Sequence, residues 1–374
     1  MLARPEFLLA GRTALECLAP TPENFAGRPI EMDAFSEVLS SLKLQGALFF
    51  TAEFSAPWAI ATPASKALAS ALGPGALHLV VYHLVVDGTA RAALPDGRTL
   101  PLEAGDIVVF PHGDPHELGS AAGARYVDNA SVMKKIASRD LTPLRSGGGG
   151  DSTRFVCGYM ACDPLFCAPI LEGLPSMLKV NIRTDRAGHW LEGSLLHLVD
   201  EASSNLAGSE AMLAKVSEAL FVDTLRRYVA GLPEHHTGWL AGARDPVVSK
   251  SLALLHGRVD HAWTIAELAE AVGVSRTALV DRFAKYLSEP PMAYLTRWRL
   301  QLAARALTTT PRGVSDIAAE VGYESEAAFN RAFKRHFGTP PARYRREHRS
   351  TDTSATKAQV PSSGQPPPER RPAS

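Results

Sequence analysis

The back of the chain contains a two-fold internal repeat, and this limits what it can fold into more than any other feature. Sliding the segment that begins at Ile265 against the one that begins at Val314, at an offset of 49, pairs Leu268 with Ile317, Ala269 with Ala318, Val272 with Val321 and Gly273 with Gly322. After one inserted residue the offset becomes 50. It then pairs Ser275 with Ser325, Leu279 with Phe329, Phe283 with Phe333, Pro290 with Pro340, Pro291 with Pro341 and Tyr294 with Tyr344.

Each copy reads as helix, tight turn, helix. Thr264 and Glu267 form a capping box before an apolar stripe of Ile265, Leu268, Ala269 and Val272, and Gly273 is free to take the left-handed conformation that stops the helix. A second helix starts at Ser275 with Leu279, Phe283 and Leu287 inward; its counterpart turns Ala328, Phe329, Ala332, Phe333 and Phe337 inward. Small residues at the elbow let two short helices cross closely, the geometry of a helix-turn-helix. Between the copies, MAYLTRWRLQLAARAL predicts one long joining helix with Leu295, Trp298, Leu302 and Leu307 as core.

The chain's 39 basic and 39 acidic residues are unevenly spread: residues 1–243 hold 19 Lys+Arg against 26 Asp+Glu, whereas 244–349 hold 17 against 11. A basic back half suits a polyanion. The outward face of the second copy's reader helix carries Glu326, Ala327, Asn330, Arg331, Lys334 and Arg335; that of the first carries Arg276, Thr277, Val280, Asp281, Arg282 and Lys285. Asn and Arg suit base edges, and Lys and Arg suit phosphates.

The run VGYESEAAFNRAFKRHFGTPPARYRR resembles the signature of the arabinose-regulator (AraC) family of bacterial transcription regulators, and the resemblance covers about 245–346. It implies two helix-turn-helix units that insert their second helices into neighbouring major-groove segments about one turn apart. By position it implies base contacts from Arg276, Thr277, Val280, Asp281, Glu326, Ala327, Asn330 and Arg331. Phosphate contacts are expected from Arg282, Lys285, Lys334 and Arg335. Asp281 stands where a long polar residue is frequent; it either accepts from a cytosine amino group or pairs with Lys285 on the same helix, and the spacing favours the pair.

In the front half, LQGALFFTAEF, LHLVVYHLVV, GDIVVF and ARYVDNASVM alternate with Gly, Pro and Asp clusters, which predicts a small β-barrel. The spacing Gly105-x5-Pro111-x-Gly113-x2-His116 resembles the second motif of the cupins and implies a cupin-type sensor over about 20–180. The first motif's H-x-H and Glu have no counterpart upstream of Gly88, and His78 and His83 fall on opposite faces of a regular strand. No metal and no cofactor are therefore expected. Trp58, His83 and His116 are the candidate effector-pocket residues, each with core packing as the alternative.

Two helices are expected at 189–204 and 209–229. The second turns Met212, Leu213, Val216, Leu220, Leu225 and Tyr228 to one side, either packing on the barrel or coupling sensor to reader. Cys17, Cys157, Cys162 and Cys167 fit neither a disulfide framework nor zinc spacing and read as reduced, mostly buried thiols. The tract Ser146–Gly150 is expected as a mobile loop. No membrane span and no secretory leader is evident, which predicts a cytoplasmic, nucleoid-associated protein.

The expected fold class is α+β multidomain: an N-terminal cupin-like β-barrel with trailing helices, then an all-α domain of two helix-turn-helix units. The expected division is 1–205 sensor, 206–243 coupling or dimerisation helix and linker, 244–349 reader, and 350–374 disordered tail. The function expected is that of a non-enzymatic, effector-responsive transcription activator. Its expected partners are double-stranded DNA, RNA polymerase, an unidentified small molecule and a second copy. A metal enzyme with a DNA-binding appendage and an effector-independent architectural DNA binder stay open as alternatives.

Overall fold

The computed structural model describes residues 45–348, apart from 73–77, 122–123, 125–126, 139–141, 204–205 and 234, together with Ser36. The tail expected at 350–374 and Cys17 lie outside the described residues.

Among the described residues, ten strands build the front domain: β1 (Gln45–Ser55), β2 (Ala59–Thr62), β3 (His78–Asp87), β4 (Thr89–Ala93), β5 (Thr99–Glu103), β6 (Asp106–Phe110), β7 (His116–Gly119), β8 (Leu144–Gly147), β9 (Ser152–Cys162) and β10 (Leu178–Asn181). They form a six-stranded sheet in the order β10-β6-β3-β9-β1-β8 and a four-stranded sheet in the order β2-β7-β4-β5. Phe50, Phe54, Trp58, Phe110, Leu118 and Phe155 fill the space between them.

The near-continuous apolar run of β3 has a physical reason, because this strand is buried on both faces. Leu79, Val81 and Val85 join the core between the sheets, whereas Val80, Tyr82, Leu84 and Val86 face a second core under the trailing helices. The cupin-like turn is tight: Gly113 is left-handed, and a Cβ there would stand 2.2 Å from the Ser65 side chain.

Three expectations for this domain are corrected. The run ARYVDNASVM was expected as a strand, but its second half enters a helix, because the Asp128 carboxylate accepts the Ala130 and Ser131 amides as a cap. The Ser146–Gly150 tract is not wholly a loop, since Ser146 and Gly147 belong to β8 and pair in parallel with Phe54 and Ser55. In the helix Ser209–Ala230, the buried side is Leu213, Ser217, Leu220, Phe221, Thr224 and Leu225, while Met212 is exposed. Small hydroxyl residues were hidden from a purely apolar pattern: Thr224 bonds back to the Leu220 carbonyl, and Ser217 accepts from Tyr82 Oη at 3.1 Å.

The helices are α1 (Ser65–Leu72), α2 (Asn129–Ser138), α3 (Pro164–Leu171), α4 (Arg186–Ser203), α5 (Ser209–Ala230), α6 (Trp239–Gly242) and α7 (Pro246–Gly257), followed by the repeat as α8 (Ile265–Ala271), α9 (Arg276–Leu287), α10 (Pro291–Thr309), α11 (Val314–Glu320) and α12 (Glu326–Phe337). Helices α4 and α5 pack together, and α5 lies on β1, β9 and β10. No helix among the described residues is long and apolar enough to cross a membrane.

One apolar cluster runs from Tyr82 and Leu84 of β3 through Leu195, Leu220 and Leu225 to Trp239 and Leu240, then to Phe283 of α9 and Trp298 of α10. The second unit has its own core, built from Leu300, Leu307, Ile317, Phe329, Phe333 and Tyr344. Helix α10 serves both, its first half in the large cluster and its second half in the small one.

Cys157, Cys162 and Cys167 are buried and unbridged. Burial pushes the Cys157 thiol up, and a hydrogen bond with Cys162 followed by burial does the same for Cys167. Thiolate chemistry is thereby suppressed. We expect the folded protein to resist iodoacetamide at these three positions and to keep its DNA affinity under mild oxidant; a change in affinity abolished by Cys→Ser at any of them would contradict this.

Candidate nucleic-acid interface

The reader helices of the two units are capped alike, whereas of the helices before them only α8 has a side-chain cap, α11 starting at Gly313. Thr264 Oγ1 accepts the Glu267 amide at 3.1 Å, and the Ser275 and Ser325 hydroxyls accept the Ala278 and Ala328 amides at 3.1 and 3.3 Å. The elbow glycines are left-handed, Gly273 at φ 74° and Gly322 at φ 79°. Ala269 and Ala318 are buried where the helices cross, and Leu279, Phe283, Phe329 and Phe333 are fully buried beneath the reader helices.

The opposite faces are open. Arg276, Thr277 and Asp281 of α9 are exposed and Val280 is half-buried; on α12, Glu326, Ala327, Arg331, Lys334 and Arg335 are exposed. Asn330 is half-buried, and its amide donates to Glu326 at 3.5 Å. Arg331 and Lys334 form no ion pair among the described residues, so their charge is available to a partner. The last turn of α12 carries Lys334, Arg335 and His336, opposite in sign to the helix C-terminus.

The first reader departs from expectation at three positions. Asp281 is exposed and makes no ion pair with Lys285; the Lys285 ammonium lies over the Tyr286 ring, 4.7 Å from its centroid. Arg282 pairs with Asp245, whose carboxylate also caps α7 by accepting the Val247 and Val248 amides at 3.0 Å each. Arg282 thus anchors α9 to α7, and its charge is partly spent before any phosphate arrives. The Asp245-Pro246 pair is a helix-start signal legible in sequence, but nothing local names its partner 37 residues away.

A second residue that sequence reasoning missed is Arg299 of α10. It donates to the Val259 and His261 carbonyls at 2.8 and 2.7 Å, and a Cβ on Gly322 would meet it at 2.6 Å. It therefore sits between the two units and fixes one against the other.

In the barrel, His83 and His116 come together with Nε2 atoms 2.9 Å apart, both buried, and Phe110 stacks on His116 at 3.5 Å. A cavity of about 60 Å³ lies beside His83, and another of about 250 Å³ lies beside His116. Trp58 lines neither; it packs on Phe54 and Phe155 in the core, its indole Nε1 without a protein partner. The metal of cupin enzymes does not fit here, because among the described residues no three His, Cys, Asp or Glu side chains converge.

A β-barrel joined to a paired helix-turn-helix defines a DNA-binding transcription regulator. A family described as Cupin matches residues 33–230, and one described as a helix-turn-helix domain matches 268–347. A putative AraC-like transcription regulator of Streptomyces antibioticus is 31% identical over 316 residues, covering 84% of this chain and 99% of that protein. The HTH-type transcriptional regulator AlkR of Acinetobacter baylyi is 27% identical over 318 residues, 84% of this chain and 100% of that protein. The RCS-specific HTH-type transcriptional activator RclR of Escherichia coli is 27% identical over 316 residues, 84% and 97% of the two chains. The chain belongs to the AraC-type family of transcription regulators, with a cupin domain in front of its helix-turn-helix units.

If Arg331 reads a base edge, Arg331→Ala is expected to cost about 1–3 kcal/mol of specific binding and to relax preference at one base pair. Lys334→Ala is expected to weaken all DNA alike and to lower the salt slope by about one. Gel-shift titrations on specific and random duplexes at several salt concentrations separate the two roles; equal losses on both duplexes for both variants would remove the distinction.

Proposed function

We propose that this regulator is an effector-responsive activator without catalytic activity, in which a small molecule bound in the barrel changes how the two readers sit on a promoter. Residues 1–205 form the sensor, 206–243 the coupling segment and 244–349 the reader, with Arg276, Thr277, Val280, Asp281, Glu326, Ala327, Asn330 and Arg331 facing bases. RNA polymerase and a second copy of the chain are its further proposed partners, and the cytoplasm at the nucleoid its proposed place.

The observation that carries this reading is the two-sided burial of β3. His83 projects to the cavity side, while its neighbour Tyr82 projects to α5 and bonds Ser217, inside the cluster that continues to Phe283 and Trp298. A shift of this strand is felt by α5 and by the first reader through packed side chains, as a coupling free energy between two sites requires. Trp239 adds a polar link, donating to Tyr294 Oη, which lies 2.8 Å from His256 Nε2.

Selection of genomic fragments by the full-length protein at physiological salt tests the proposal, with Arg331→Ala in parallel. Discrete sites lost in the variant support a specific regulator. Diffuse, salt-sensitive binding shared by both proteins would support the architectural alternative.

A further inference from the structure

The cavity beside His83 is walled by Phe50, Ile60, Leu68, Val132 and Ile136. His83 lines it too, and its Nδ1 is buried with no hydrogen-bond partner, so an enclosure otherwise apolar except at Thr62 has a strong polar atom unanswered at its wall.

Its chemical sense follows from the bonds around it. The Asp114 carbonyl can only accept, so His116 Nδ1, 2.9 Å away, must carry the proton. In a neutral ring His116 Nε2 is then a bare lone pair, and the 2.9 Å contact requires His83 Nε2 to be the donor. A neutral His83 that is protonated on Nε2 presents Nδ1 as an acceptor and nothing else. Neither ring carries the charge that would hold an anion, and a hydrocarbon would leave the acceptor unanswered at a cost.

We propose that this cavity binds a small neutral hydroxyl compound, a short-chain alcohol, whose O–H donates to His83 Nδ1 and whose carbon chain lies against Phe50, Leu68 and Val132. The inference rests on taking the barrel as the sensor. At about 60 Å³, and with one water needing roughly 10–15 Å³ of such space, the cavity admits about four to six non-hydrogen atoms.

Three probes of similar size test this on the full-length protein without DNA: 1-butanol, methyl propyl ether and butanoate. Binding is followed by the ¹⁵N resonance of His83 Nδ1 and by ligand-detected NMR. We expect saturable 1-butanol binding that shifts this resonance, at least tenfold weaker binding of the ether and butanoate, and at least tenfold loss in His83→Phe. Val132→Phe, which fills the cavity and leaves the histidine pair intact, should also abolish binding. Ether binding equal to that of butanol, a protonated Nδ1 in the free protein, or no saturable butanol binding would each overturn the proposal. If either variant fails to fold, the three-probe comparison on the native chain still decides. Butanol that binds as expected while leaving DNA affinity unchanged would confirm the site and refute the barrel's role as sensor.

Discussion

Phe333→Ala is expected to melt the second reader unit while leaving the barrel and the first unit folded. Phe333 is fully buried among Phe329, Phe337 and Tyr344, with ring centroids 5.4, 4.6 and 5.4 Å away. Truncating a buried phenylalanine costs about 3–5 kcal/mol. The core that would absorb this loss is small and separate from the large cluster that joins barrel and first unit, so it has little stability of its own to spare. Calorimetry of the native protein should show the second unit as a distinct transition, which Phe333→Ala shifts by several degrees or removes while the main transition stays in place. One cooperative transition that moves as a whole in the variant would show that α10 transmits stability between the cores rather than merely lying in both. Specific DNA binding should fall with the second unit, because one reader cannot span two major-groove segments.

The second large effect is on pH. Burial, and then the neighbouring His116, holds the His83 pKa well below the usual histidine value; burial lowers His116 to about 4, against an opposing hydrogen bond to Asp114. His256, under Trp298, is lowered to about 3 by burial and by Arg297. In the unfolded chain each imidazole titrates near 6.5. Between that value and the folded pKa the unfolded state binds a proton that the native state does not, so stability is complete above about pH 6.5 and is lost as pH falls toward 4. For His116 this removes about 1.4 kcal/mol per pH unit, or roughly 2 kcal/mol by pH 5, and His83 acts in the same direction. That is enough to move a urea midpoint by roughly half a molar or more. The midpoint should therefore drop steeply from pH 7.5 to pH 5, and replacing both barrel histidines by Phe should flatten most of that slope. An unchanged midpoint between these pH values would mean that the rings are protonated or solvated in the native state.

What was legible in the sequence was local or repeated. The elbows at Gly273 and Gly322, the caps at Thr264, Ser275 and Ser325, and the stripes carrying Phe283 and Phe333 follow from spacing within a dozen residues, and all but Thr264 have a counterpart in the other copy. The alternation of β3 likewise placed His83 on the barrel side, away from His78. The misses came from competition and from distance. At Asp128 a local cap outweighed the β-like composition of the residues before it. On α5 the buried Ser217 and Thr224 satisfied their hydroxyls and took places that an apolar count reserves for residues such as Met212. The contacts that give the site its chemistry join residues far apart in sequence: Arg282 to Asp245, Arg299 to the Val259 carbonyl, and His83 to His116 across 33 positions. Composition and period carry no information on such pairs, since each depends on how strands and helices are stacked.

The central claim is that both reader helices occupy major grooves of one site. Protection of guanine N7 from dimethyl sulfate on a selected fragment tests it most directly, because N7 lies in the major groove. Two protected clusters with centres about 10 base pairs apart are predicted for the native protein, with the cluster under α12 lost in Phe333→Ala. A single cluster in the native protein, or a bound fragment with no N7 protection, would contradict it.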